Sequence, residues 1–79
     1  MSAALLDYLA RQLVDEPDEV RVEEVEDAGG IVLRLHVAPD DVGKVIGRKG
    51  RIARALRTVV RASGTRRRER YLLEIVDPE

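Results

Sequence analysis

The sequence predicts an α+β fold, a three-stranded sheet with helices packed on one face, in the order α-β-β-α-α-β. Three observations predict it. Apolar residues recur at i, i+3 and i+4 in three stretches; they alternate with other residues in three more; and two of the helical stretches meet at a tight Gly47-Arg48-Lys49-Gly50 turn. Seventy-nine residues without a repeat, linker or low-complexity segment make one domain, 1–79. A domain of this size buries only about 60–65% of its unfolded surface. With no Phe or Trp, its core must be built from Leu, Ile, Val and Ala.

The first helix is expected over 2–14, with Leu5, Leu6, Leu9 and Leu13 on one face, Ser2 as N-cap and Asp15-Glu16-Pro17-Asp18 as its stop. Val20, Val22 and Val25 among acidic residues predict a strand over 19–26 with an acidic outward face, and the slip between Val22 and Val25 reads as a bulge. Turn chemistry at Asp27-Ala28-Gly29-Gly30 leads into a second strand over 31–37, where Ile31, Leu33, Leu35 and Val37 alternate with Val32, Arg34 and His36. Pro39 suits an early helical position and Asp40 and Asp41 complement a helix dipole, which predicts a short helix over 39–46. After the 47–50 loop, Ile52, Ala55, Leu56, Val59 and Val60 mark a helix over 51–63, with Gly64 as its left-handed terminator. The last strand falls within 66–76, where Tyr71, Leu73 and Ile75 alternate with Leu72, Glu74 and Val76 after a basic lead-in.

The loop carries the chemistry. Gly47 and Gly50 lack the Cβ that would keep a ligand from the main chain, and they permit backbone angles closed to other residues. The first-turn amides and positive dipole end of the following helix would face an anion there, with Arg48 and Lys49 adding charge from the side. Charge is distributed to match. Residues 1–30 carry nine acidic and two basic side chains, whereas residues 40–70 carry eleven basic and three acidic ones, so a net charge of −1 conceals a basic half. The plainer reading of that asymmetry is a solvated charged surface.

The run Val45-Ile46-Gly47-Arg48-Lys49-Gly50, followed by an apolar-periodic helix, resembles the signature of the KH domain. The element order, over nearly the whole chain, is similar to the bacterial (type II) KH topology, and the size is similar to that of the small single-KH bacterial RNA-binding proteins of the KhpA type. The resemblance implies a groove for about four nucleotides of single-stranded RNA or DNA. It maps Arg48 and Lys49 onto the backbone phosphates, flanked by Lys44 and Arg51, with Val42, Val45 and Ile46 as an apolar floor. Its opposite wall would be the second strand, 31–37, with Arg34 and His36 toward the bases. Arg54, Arg57 and Arg61 either extend the backbone contact or form a solvated helix face, Arg66–Arg70 is either an RNA patch or solubilising, and Gly43 is either a packing glycine or a ligand contact. The implied role is a bacterial post-transcriptional regulator or RNA chaperone, acting as a homodimer or with a larger multidomain Jag-type KH protein. A docking module for that partner and a ribosome-associated assembly factor are the alternatives.

Other chemistries find little support. The absence of cysteine excludes disulfides and thiolate chemistry, and His36 with carboxylates alone makes no metal set, so no cofactor or metal is expected. The loop lacks the spacing and the Gly-Lys-Ser/Thr ending of a nucleotide-binding P-loop. Adjacent acidic pairs such as Glu23-Glu24 point to opposite faces of a strand, so no catalytic acid–base pair is expected and the chain reads as a non-enzyme. Only Tyr8 and Tyr71 are aromatic, and both fall on elements expected to face the core, so stacking platforms for bases are missing and affinity should be mainly electrostatic. With no leader and no run of about 18 apolar residues, the expected compartment is the cytoplasm, away from membranes.

Overall fold

A computed structural model describes residues 2–27, 29–66 and 68–76. The elements are α1 (Ser2–Leu13), β1 (Arg21–Asp27), β2 (Gly30–His36), α2 (Val42–Ile46), α3 (Arg51–Arg66) and β3 (Tyr71–Ile75), with single 3₁₀ turns at Pro17–Glu19, Pro39–Asp41 and Arg48–Gly50. The predicted helix over 39–46 is therefore a 3₁₀ turn followed by a short α-helix. Among the described residues, no helix is long and apolar enough to cross a membrane.

The sheet runs β1-β2-β3, antiparallel between the first pair and parallel between the second. The period of two then sorts side chains between faces. Leu33 and Leu35 are fully buried toward the helices, level with Val22 and Leu73, and they meet Leu6 and Ala10 of α1, Val45 of α2 and Leu56 and Val60 of α3 in one aliphatic core. The opposite face carries rows of paired residues: Val25–Val32–Leu72, then Glu23–Arg34–Glu74. Helices thus cover one face only.

Several expectations change in detail. The β1–β2 register runs unbroken from Arg21↔His36 to Asp27↔Gly30, so there is no bulge; Val22 and Val25 sit on opposite faces. Glu24 and Glu26 lie on the helix side yet remain exposed, because β1 is an edge strand. Val20 is buried but precedes β1. On α1, Leu6 and Ala10 hold the core while Leu5 is partly exposed, and Tyr8 is 61% exposed where a core position was expected. Ser2 lies inside α1 and does not precede it as a cap; its side chain, like Ala28, Arg67 and the end 77–79, lies outside the described residues.

Gly64 does not terminate α3. It is buried within the helix, and a Cβ there would meet the Tyr71 ring and come within 2.6 Å of the Glu69 carbonyl oxygen. The helix closes four residues later: the Arg68 N–H donates to Thr65 O at 3.1 Å, the Glu69 N–H donates to Gly64 O at 2.8 Å, and Arg68 takes the left-handed conformation at φ 60°. That is the Schellman pattern, with arginine at the position glycine usually fills. The polar stretch before β3 is thus helix end and turn, and β3 spans only Tyr71–Ile75.

Candidate nucleic-acid interface

The loop joins α2 to α3 through two consecutive backbone reversals. The Gly47 N–H donates to Gly43 O at 2.9 Å, closing α2, and Gly47 then takes φ 76°. A side chain there would also collide with Ile52, whose Cγ1 and Cβ lie 2.6 and 2.8 Å from the ideal Cβ position, so angle and space both require glycine. Lys49 follows in the left-handed region at φ 57° and ψ 25°, and Gly50 at φ 74° opens onto free space. Arg54, one turn into α3, donates from Nη2 to the Lys49 carbonyl at 3.2 Å.

The loop's amides are less available than the sequence suggests. The Gly50 N–H donates to Gly47 O at 3.1 Å, and the Arg51 N–H donates to Arg48 O. With those two amides engaged, the loop's charge is carried by the exposed side chains of Arg48 and Lys49, held at the positive end of the 16-residue α3.

Other predicted site residues divide by location. Val45 is fully buried in the core and cannot floor a groove, whereas Ile46 is 38% exposed beside the loop. Lys44 is engaged: its ammonium lies 3.3 Å from Asp15 Oδ2 and 3.7 Å from Asp41 Oδ1. The hydrogen bond and charge of Asp15, reinforced by Asp41, raise its pKa above the ordinary lysine value. Asp41, 2% exposed, also accepts the Asp15 and Glu16 N–H groups at 3.3 and 3.1 Å. Its carboxylate makes no cap hydrogen bond to α2. Gly43 has nothing within 4 Å of where a Cβ would sit, so it is no packing glycine between helices.

Arg34 and His36 lie on the helix-free face of the sheet, away from the loop. Arg34 sits between Glu23 at 3.5 Å and Glu74 at 3.3 Å, and His36 Nε2 lies 3.2 Å from Glu23 Oε1. Their strand is central, with its backbone paired to β1 on one edge and β3 on the other. It cannot offer main-chain groups to a base.

The two edge strands can, and of these β3 runs beside α3. Between β3 and α3 lies a depression of about 150 Å³ lined by Arg57, Arg61, Tyr71, Leu72 and Leu73, continued by Thr65, Glu69 and Arg70. Arg57 and Arg61 continue the arginine stripe that begins at Arg54 by the loop; that helical spacing was the available sequence signal. Arg51 stands at the border of this stripe, toward α1. There it lines an apolar groove of about 380 Å³ with Leu9, Leu13, Ile52, Ala55 and Val59. Among the described residues, no cluster of three His, Asp or Glu side chains is arranged to hold a metal ion.

A family model described as "KhpA/KhpB, KH domain" matches residues 3–75. Among similar proteins are three named "RNA-binding protein KhpA". That of Clostridium acetobutylicum is 51% identical over 91% of this chain and 96% of its own length. That of Treponema pallidum is 53% identical over 98% and 96%, and that of Aquifex aeolicus 47% identical over 92% of each chain. No solved structure gives a significant match. A family match across nearly the whole chain, with relatives about half identical from end to end and the glycine loop set between α2 and α3, means that this protein belongs to the KhpA/KhpB family of KH domains.

Proposed function

We propose that this protein binds single-stranded RNA without catalysis, gripping the backbone with Arg48 and Lys49 of the Gly47–Gly50 loop. The observation that carries this reading is the loop geometry: two positive-φ glycines and a left-handed Lys49 hold two exposed cations at the start of α3. The strand would then run along the arginine stripe of α3 toward the free edge of β3. The names of its relatives support RNA as the ligand, and a cytoplasmic post-transcriptional regulator or RNA chaperone is the role we propose for it. The test is binding of a short labelled single-stranded RNA across a salt series, with native protein and Arg48→Asp/Lys49→Asp. Three or four phosphate contacts give a slope of log K against log salt of roughly −2 to −3. Equal binding by both proteins, at equal melting temperature, refutes the loop as the grip.

The apolar groove between α1 and α3 favours a second, compatible role as a dimerisation or docking surface. The partner would be a second copy or a larger Jag-type KH protein of the same family, a reading that the family's joint description supports. Sedimentation equilibrium of native and Val59→Asp protein, with and without RNase and partner, tests it: a complex that survives RNase and is lost in the variant supports direct docking.

A further inference from the structure

The Lys44 ion pair is unexplained by either role. Lys44 stands three residues before Gly47, about 4.5 Å of helix rise from the loop. A lysine's four-carbon stem is long and flexible enough to span that interval. Helical side chains lean toward the N-terminus, however, and here that direction leads to Asp41 at i−3 and to Asp15 from the α1–β1 connection. The two carboxylates differ in kind. Asp41 is buried and joins the connection to α2 through two backbone N–H groups, whereas the Asp15 side chain is 76% exposed and has Lys44 as its ion-pair partner.

We infer that Asp15 is an intramolecular competitor for the RNA backbone: its carboxylate holds the Lys44 ammonium back from the loop, in the place a phosphate oxygen would take, and so lowers the affinity of the site. The inference rests on the proposed RNA reading and adds the residue that attenuates it. A bound strand must exchange one carboxylate for one phosphate at Lys44. The exchange is possible because the pair is exposed and screened by solvent. It also keeps one cation of the basic half neutralised in the free protein.

The experiment measures affinity for a short single-stranded RNA in the full chain carrying Asp15→Asn, Glu16→Gln, or Asp15→Asn with Lys44→Gln, each across a salt series and with its melting temperature. Asp15→Asn should bind about two- to fivefold more tightly at low salt, the range set by an exposed ion pair that no longer has to be broken before Lys44 reaches a phosphate. The gain should vanish when Lys44→Gln is added. Glu16→Gln removes the same charge one residue away without touching Lys44, so an equal gain there would reduce the effect to the general field and overturn the inference. No gain in Asp15→Asn at unchanged melting temperature would overturn it as well. A readout independent of RNA is the side-chain titration of Lys44 by NMR, expected to fall toward the ordinary lysine value in Asp15→Asn. If it does not move, this inference fails alone; if native protein shows no RNA affinity at low salt, the RNA reading fails and takes it along.

Discussion

The Arg54 guanidinium donates to the carbonyl of Lys49 across 3.2 Å, so the residue that braces the loop and the residue that presents its charge are tied together. Lys49 pays for its position with a left-handed backbone, which L-residues with a side chain disfavour. Lys49→Gly should therefore raise stability by about 0.5–1 kcal/mol while weakening RNA binding through loss of a cation. Urea unfolding and RNA titration on the same variant check the opposed signs. A loss on both counts would mean that the loop conformation is not the one described.

Two glycines outside the loop should respond in opposite directions to alanine. At Gly64 a Cβ meets the Tyr71 ring and the Glu69 carbonyl, so Gly64→Ala must push α3 from β3 and should cost about 2–3 kcal/mol. At Gly43 a Cβ meets open space within a helix, and Gly43→Ala should stabilise by about 0.5–1 kcal/mol. Melting curves of the two variants decide it.

The order of elements and the loop were legible because periodicity and glycine spacing are local signals, and Val45, Leu56 and Val60 fall where their periods put them. What was not legible depends on residues far apart in the chain. Gly64 reads as a helix stop until Tyr71 is seen packed against it, and the left-handed stop falls to Arg68. Lys44 reads as a free cation until Asp15 folds beside it. The placement of Arg34 and His36 opposite a groove presumed that β2 bordered it; parallel pairing puts β3 at that edge and leaves β2 central. A pattern of alternation fixes a strand's faces and says nothing about its neighbours.

Asp41 is expected to be the most costly polar side chain to remove among those described. Its buried carboxylate takes two main-chain N–H groups from the α1–β1 connection and faces the Lys44 ammonium. Asp41→Ala leaves those donors without their acceptor and should cost about 2–3 kcal/mol. Asp41→Asn keeps the volume and one acceptor and should cost less. Hydrogen exchange at the amides of Asp15 and Glu16 should accelerate in both variants ahead of the core strand β2; protection unchanged in Asp41→Ala would show that the clamp is not what orders that connection.

The path of a bound strand can be separated from the grip by asking which side of the domain its second half touches. Arg57 and Arg61 line the depression between α3 and the free edge of β3, on the same helical stripe as Arg54, whereas Arg34 is on the far face with its charge opposed by Glu23 and Glu74. If RNA continues from the loop along α3, Arg57→Gln with Arg61→Gln should flatten the salt slope by about 1.4, two phosphate contacts at about 0.7 each on a single strand. Both side chains are exposed, so melting temperature should barely move. Arg34→Gln should leave that slope in place while releasing two carboxylates on the open face. A slope that falls in Arg34→Gln and holds in the double variant would reverse the assignment and send the strand across the sheet.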